Sequence, residues 1–276
     1  MKKIYLFIGL IALTGVLFFE VTSIVKAIND RQDKSPAFVQ VSEEKKTENG
    51  KTMDSISIAN DDSSDEANKS VAISFDDGPG QTTTPQLLEI LKSKGVHATF
   101  FVLGKNTEKY PQIVKQASEE GHEIGNHTYD HENLFYLSAE RANDAIKKAD
   151  NEIKKATGKQ AKFIRPPYGS ITNENALAIN RPFIQWSVDS EDWKTRNSDL
   201  ILKKVQDTVY DGSIILFHDI YPETINVIPR VIDYLKDEGY KLETISELLD
   251  NPTKAENFYG KGDNRPVEWI IYKRKT

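Results

Sequence analysis

The sequence predicts an α/β domain, folded as a distorted (β/α) barrel of about seven strands. From Val71 onward, short β-branched or aromatic runs alternate about seven times with longer helical patterns, which is typical of βαβ units and a parallel sheet. The region of about 180 residues is short for a full eight-unit barrel. No glycine-rich nucleotide loop follows the first strand, which disfavours an open doubly wound sheet.

The element boundaries follow from apolar periodicity and from start and stop residues. Seven strands are predicted, over 71–75, 97–102, 123–125, 162–164, 183–188, 213–217 and 240–243. Five helices are predicted between them, over 84–95, 111–121, 138–158, 198–212 and 224–239. In a (β/α) barrel and in an open doubly wound sheet alike, functional side chains belong at the carboxyl ends of the strands.

Residues 1–27 predict a signal peptide or a membrane anchor, so we expect an exported protein. Lys2 and Lys3 precede an apolar run over 4–19, and a small-residue cleavage site ends at Ala27. The run is longer than many signal peptides and approaches the length of a membrane span, which slightly favours an uncleaved anchor. Whether cleavage occurs is left open.

Composition changes along the chain define three further segments. The polar segment 28–69 has few large apolar residues and predicts a disordered linker. Residues 70–250 form the predicted folded domain, and 251–276 form a C-terminal extension with a candidate strand in VEWIIYKRKT.

A net charge of -6 and the absence of a basic stripe argue against nucleic-acid binding. Without cysteine, any metal ligands must be His, Asp or Glu.

The stretch SFDDGP places two neighbouring acids, Asp76 and Asp77, at the end of the first predicted strand. Taken alone, such a sequence is usually a solvated turn. Gly78-Pro79 interrupts the strand alternation, so both carboxylates can face one site. Two adjacent anions would then require a cation between them.

The stretch HTYDH supplies two histidines four residues apart, His127 and His131. This spacing allows both to bind one metal, from a helix or from a tight loop. Gly125-Asn126 and the missing helical periodicity favour a loop. One carboxylate with two imidazoles is typical of an open, catalytic divalent-metal site, and it leaves the second acid as a base.

Three other motifs follow predicted strands. Arg165, in RPPYG, can neutralise a carboxylate or orient it with two hydrogen bonds. WSVDSEDW carries Trp186, interpreted as core packing, and Trp193, which can stack on a sugar. His218, at the end of IILFHD, can donate a proton at neutral pH. Each has an ordinary structural interpretation in isolation, but together they form a chemically complementary set.

In these motifs the sequence resembles the polysaccharide deacetylase family, the NodB-homology domains of carbohydrate esterase family 4. SFDDGP, HTYDH, RPPYG, DSEDW and LFH match the five motifs of that family in order, and the resemblance covers roughly 69–250. It implies a distorted (β/α) barrel, in agreement with the strand count. Ser74 replaces the more usual Thr of the first motif.

The resemblance also implies a role for the charged residues. Asp76 would be the catalytic base, held by Arg165. Asp77, His127 and His131 would bind one divalent metal ion, commonly Zn, with Co, Ni or Mn as variants.

For the rest of the site, the resemblance implies an acid and a pocket. His218 would be the general acid, tuned by Asp192. Trp193 and Leu216 would shape the acetyl pocket, and the backbone N–H of Tyr168 would stabilise the oxyanion.

The implied function is a metal-dependent hydrolase that removes N-acetyl groups from N-acetylglucosamine of a cell-wall polysaccharide, with peptidoglycan as the first choice. Chitooligosaccharide, poly-N-acetylglucosamine and O-acetylated xylan are alternative substrates. A glycoside hydrolase is disfavoured because Asp76 and Asp77 are adjacent. A non-catalytic glycan-binding wall protein is the remaining alternative.

We expect a monomer at the extracellular face of the membrane or secreted to the wall. The exact substrate, the acetyl position and the native metal are left open.

Overall fold

The computed structural model of the protein describes residues 69–267. The predicted signal peptide or anchor over 1–27 lies outside the described residues, as does the linker predicted over 28–69 except for Lys69. The candidate strand in VEWIIYKRKT also lies outside them beyond Val267. Within residues 69–267, every helix is too short or too polar to cross a lipid bilayer.

A parallel sheet forms the centre of the described region. Its strands are β1 (Lys69–Asp76), β2 (Thr99–Val102), β3 (Glu123–Asn126), β5 (Val188–Asp189), β6 (Ile214–His218) and β7 (Tyr240–Glu243). They lie in the order β3-β2-β1-β6-β5, with β7 paired to β1. The first half of β1 pairs with β7 and its second half with β2.

Ile164 and the segment 183–189 together close the sheet between its β3 edge and β6. Ile164 makes single parallel bridges to Asn126, at the end of β3, and to Phe183, in β4 (Phe183–Ile184). Four residues after Ile184, the last residue of β4, Val188 in β5 pairs with Ile215 in β6. The predicted distorted barrel with a parallel sheet is therefore confirmed.

Three predicted strands are shorter than expected. The strand expected over 162–164 is reduced to the bridges of Ile164, because the prolines that follow lack the N–H needed to extend a ladder. The strand expected over 183–188 is split, because the carbonyls of Ile184 and Gln185 accept hydrogen bonds from Arg165. The strand expected over 97–102 begins at Thr99, since Ala98 N–H donates to a histidine ring.

The five predicted helices are present, although the helix expected over 198–212 ends at Thr208. Ser138 caps one of them as predicted, and Gly158 ends it with a φ of 74°. The helices are α1 (Thr83–Lys94), α3 (Pro111–Glu119), α4 (Ala139–Thr157), α7 (Ser198–Thr208) and α8 (Pro222–Asp237). Four short helices were not predicted, namely α2 (Gly104–Lys109), α5 (Asn173–Ile179), α6 (Asp192–Thr195) and α9 (Ile245–Leu248).

A strand pair in the predicted C-terminal extension was also missed. β8 (Glu256–Gly260) pairs parallel with β4, and β9 (Asp263–Pro266) pairs antiparallel with β8. The segment is polar and offers little apolar alternation, so sequence periodicity gave no signal for it. Part of the extension thus packs against the barrel wall.

Side chains alternate along β1 between the helical layer and the barrel interior. Val71, Ile73 and Phe75 pack with the surrounding helices, and Phe75 stacks between Phe100 and Phe217 at 5.3 and 5.8 Å. The residues between them face the other way, towards the interior. This alternation directs Asp76 inward at the carboxyl end of the strand.

Candidate active site

The two neighbouring acids of SFDDGP converge on one imidazole. Asp76 is the last residue of β1, and Asp77 adopts a φ of 72° immediately after it. This left-handed conformation breaks the strand alternation. Asp76 Oδ2 and Asp77 Oδ1 consequently lie 3.7 and 3.5 Å from His127 Nε2. The expectation that both carboxylates face one site is confirmed.

Asp77, His127 and His131 form a group that fits a divalent cation. Their ligand atoms all lie within 4.8 Å of one another, and Asp77 Oδ1 is 3.4 Å from His131 Nε2. A tetrahedral site with bonds of about 2.0–2.1 Å separates its ligand atoms by about 3.3–3.4 Å. Asp77 Oδ1 is buried without a hydrogen-bond partner, which a bound cation would supply.

The histidines are oriented as metal ligands need to be. His127 is buried, and its Nδ1 lies 2.7 Å from the Arg165 carbonyl oxygen. A carbonyl can only accept, so Nδ1 carries the proton and the Nε2 lone pair faces Asp77. Burial, and then the neighbouring His127, lowers the pKa of His131, which favours its neutral, ligating form. The predicted loop location of both histidines is confirmed.

Arg165 is fully buried beneath the two acids. Its Nη1 donates to Asp76 Oδ1 at 2.7 Å and to Ser74 Oγ at 2.9 Å. Its other nitrogens donate to the carbonyl oxygens of Ile184 and Gln185. Burial lowers the pKa of the guanidinium, and the Asp76 carboxylate opposes that shift. Arg165 therefore makes one hydrogen bond to Asp76 where two were expected, because its other nitrogens donate to backbone carbonyls, and it leaves Asp76 Oδ2 open towards the site.

His218 and Asp192 form a second pair opposite this group. Asp76 and His218 are register partners on β1 and β6. His218 Nδ1 lies 2.8 Å from Asp192 Oδ1, and His218 N–H donates to Asp192 Oδ2 at 2.7 Å. Thr224 Oγ1 and Trp193 N–H donate to the same carboxylate. An ionised Asp192 can only accept, so Nδ1 of His218 carries a proton and Nε2 remains for the site.

The charge of Asp192 controls the protonation of His218. Burial lowers the pKa of His218, but the hydrogen bond and charge of Asp192, aided by Asp76 and Asp77, outweigh burial and raise it to about 9. His218 is therefore protonated at neutral pH.

These groups line a single cavity of about 400 Å³. The exposed rings of Tyr168 and Trp193 form part of its rim, and Leu216 is buried in its wall. The cavity brings together most of the residues singled out in the sequence; its lining is Asp76, Asp77, His127, His131, Tyr168, Trp186, Asp189, Trp193, Leu216, His218 and Tyr221. Trp186, interpreted from sequence as core packing, also reaches this lining. The individual catalytic roles stay predictions.

Several site residues had no signal in the sequence. Tyr221 lines the cavity with its ring 5.8 Å from His218, and Thr224 fixes Asp192 from the first turn of α8. Asp219 is buried behind the Asp76–Asp77 turn, where burial raises its pKa to about 7. A Cβ on Gly78 would lie 2.3 Å from Asp219 Oδ2, so this close approach requires glycine.

A family model described as polysaccharide deacetylase matches residues 63–182. A peptidoglycan-N-acetylglucosamine deacetylase of Bacillus cereus is 40% identical over 186 residues, which cover 65% of this chain and 68% of the relative. The chain belongs to the polysaccharide deacetylase family.

Two further matches place the chain within that family. The peptidoglycan-N-acetylglucosamine deacetylase PgdA of Listeria monocytogenes is 40% identical over 202 residues, or 73% of this chain. The match spans only 43% of that longer relative. The solved structure of the peptidoglycan deacetylase PdaC from Bacillus subtilis is similar with a TM-score of 0.64 and 40% identity, covering 65% of this chain and 89% of that one.

Replacing Arg165 with methionine is expected to destabilise the protein by about 3–5 kcal/mol, because Asp76 becomes a buried charge without its partner. The measurement is the free energy of unfolding in urea. Adding Asp76→Asn to Arg165→Met should recover part of the loss, since the unpaired charge is removed. Full additivity of the two substitutions would contradict the coupling.

Asp192→Asn tests the tuning of His218 through the pH dependence of kcat. The acid form of His218 is lost as pH rises through its pKa, which Asp192 raises. Removing the Asp192 charge lowers that pKa, so the alkaline limb should move to lower pH by about one unit or more. Thr224→Val keeps the charge and should leave the limb in place. An unmoved limb in Asp192→Asn would refute the assignment.

The His218–Asp192 pair should also affect how the free energy of unfolding depends on pH. The folded-state pKa of His218 lies above its ordinary value of 6.5, so its contribution to stability is complete below about pH 6.5 and is lost as pH rises towards 9. Unfolding free energies measured across this window should therefore fall less in Asp192→Asn than in the unsubstituted protein. Parallel losses in both proteins would argue against the pair.

Proposed function

We propose that this family member is a metal-dependent hydrolase that removes N-acetyl groups from N-acetylglucosamine units of cell-wall glycan, with peptidoglycan as the first choice. The observation that carries the proposal is the arrangement around one cavity. A carboxylate held by a buried arginine lies beside an Asp-His-His group, and a protonated imidazole lies on the neighbouring strand. The names of the similar bacterial deacetylases support the same substrate class.

A cation held by Asp77, His127 and His131 would polarise the acetamide carbonyl and acidify the attacking water. We propose zinc, because two imidazoles and a carboxylate suit it, with cobalt, nickel or manganese as substitutes. The contribution of the chain to binding is a preformed donor set in which the His127 tautomer is fixed by Arg165.

The remaining chemistry belongs to the side chains. Asp76 Oδ2 takes a proton from water as the water oxygen attacks the acetyl carbon. The backbone N–H of Tyr168 donates to the developing oxyanion. His218 then gives its proton to the amide nitrogen as the carbon–nitrogen bond breaks, which yields acetate and a glucosamine unit. No covalent intermediate with the protein is needed.

A protonated His218 suits an amide substrate. A nitrogen leaving group departs only after protonation, so a histidine that remains protonated up to about pH 9 suits an acetamide. An O-acetyl esterase acting on xylan makes a weaker demand on such an acid. Peptidoglycan, chitooligosaccharide and poly-N-acetylglucosamine all carry the required acetamide.

Two rival classes fit the site less well. A glycoside hydrolase places its two carboxyl groups about 5 Å or more apart, on either side of a sugar. Asp76 and Asp77 instead approach the same nitrogen of His127. A non-catalytic glycan-binding protein would have no use for a base held by arginine opposite a protonated acid.

We further propose an exported monomer at the outer face of the membrane or in the wall. The basis is the basic and apolar N-terminal segment over residues 1–27, followed by the polar stretch over 28–69. A polar stretch of this length would let an anchored domain reach the surrounding glycan.

Acetate release from peptidoglycan, chitin oligomers, poly-N-acetylglucosamine and acetylated xylan tests the function. Activity should disappear after metal removal and return with zinc. His131→Gln should weaken zinc binding, measured by calorimetry, about tenfold or more, whereas His97→Gln, an exposed histidine elsewhere, should not.

Asp76→Asn separates catalysis from metal binding. It should bind zinc normally while activity falls by about 10²–10⁴, the usual contribution of a general base. Full activity after verified metal removal would refute the metal proposal. New reducing ends without acetate would indicate a glycoside hydrolase.

A further inference from the structure

The turn that carries the candidate oxyanion donor is conformationally demanding. Tyr168 has φ 61° and ψ 13°, and Gly169 follows with a φ of 64°. A non-glycine residue in the left-handed region costs about 1–2 kcal/mol, so the surrounding structure must hold it there. Inside the turn, Gly169 N–H and Ser170 N–H donate to the carbonyls of Pro166 and Pro167. Contacts from outside the turn must supply the remaining stabilisation of this conformation.

The side chain of Gln185 meets this turn from behind. It is buried, and its Nε2 donates to the Gly169 carbonyl oxygen at 3.3 Å. A Cβ on Gly169 would lie only 2.8 Å from Gln185 Oε1, so the amide packs directly on this residue. Gln185 therefore holds Gly169 and the Gly169–Ser170 peptide group, directly after Tyr168 in the turn.

A residue of the C-terminal strand pair fixes Gln185 in turn. Gln185 Nε2 donates its second hydrogen to Asn257 Oδ1 at 2.9 Å, and Asn257 lies in β8. Both donors of the amide nitrogen are thus used. The Gln185 backbone N–H also donates to the Phe258 carbonyl, and its own carbonyl accepts from Arg165 Nη2. Gln185 connects β8 to the turn and to the residue that holds Asp76.

We propose that Gln185 and Asn257 are positioning residues that hold the Tyr168 backbone N–H in place, which makes the strand pair β8–β9 part of the active site. The catalytic consequence rests on the proposed function, whereas the effect on the Tyr168 amide does not. If the pair only stabilised the junction of β4 and β8, its loss would lower stability without a selective effect on Tyr168 or on kcat.

Three substitutions in the strand pair separate these readings. Asn257→Ala removes the acceptor that fixes Gln185, and Asn257→Asp keeps an oxygen acceptor there. Asn264→Ala is the matched control, because Asn264 donates to Glu256 on the exposed side of the same strand pair. Thermal unfolding of the full chain checks the folding of each variant, and Gln185→Met replaces Asn257→Ala if the latter does not fold.

The first readout is the amide of Tyr168 in protein labelled with ¹⁵N-tyrosine, its signal assigned through the loss in Tyr168→Phe. The proposal predicts that this amide shifts and exchanges faster in Asn257→Ala, and stays in place in Asn257→Asp and Asn264→Ala. An unchanged Tyr168 amide in Asn257→Ala overturns the proposal, whatever the protein catalyses.

The second readout is acetate release from a chitin oligomer by the zinc-loaded protein. Asn257→Ala should lower kcat on the order of tenfold, part of the loss that removal of an oxyanion donor causes, with KM and zinc affinity within about twofold. Asn257→Asp and Asn264→Ala should stay within about twofold of the unsubstituted kcat. An equal loss in Asn264→Ala, or a displaced amide with unchanged kcat, overturns the positioning role. No acetate from the unsubstituted protein on any glycan refutes the proposed function instead, and the amide readout then decides the inference.

Discussion

The buried guanidinium of Arg165 is the constraint on which the site depends. A cation without solvent needs a full set of acceptors, and Arg165 finds them in Asp76, Ser74 and two carbonyl groups of the 183–189 segment. Because the carbonyls of Ile184 and Gln185 accept hydrogen bonds from Arg165 instead of from a neighbouring strand, the segment is divided into β4 and β5. The carbonyl of Arg165 meanwhile fixes the tautomer of His127. Arg165 thus orients a carboxylate and a candidate metal ligand, and it contacts the segment that closes the barrel.

This constraint gives the neighbouring acids different tasks. Asp76 ends a strand, points inward by alternation and has one oxygen bound to Arg165. Asp77 lies beyond the strand with a positive φ, and its Oδ1 has no hydrogen-bond partner. The first is suited to proton transfer and the second to binding a cation. Across β1 and β6, the His218–Asp192 pair supplies a group that is protonated at neutral pH.

Much of this was predictable, because strong periodicity defines strands and parallel strands bring their carboxyl ends to one edge. The motifs that carry Asp76, His127 and His218 therefore meet at one edge of the sheet, as expected. The sequence did not reveal Gln185, whose role comes from a contact with Asn257 across the fold, nor the polar strand pair that carries Asn257. It could not indicate the burial of Asp219 either, since an acid after a histidine looks like a surface turn residue.

We propose that Arg165 keeps Asp76 free as a base while Asp77 binds the cation. Anomalous diffraction at the zinc edge, from crystals of the zinc-loaded protein, distinguishes the roles of the two acids. One strong peak is expected in contact with Asp77, His127 and His131, with the Arg165–Asp76 hydrogen bond retained. A peak coordinated by Asp76, with Arg165 displaced from it, would refute this division of roles.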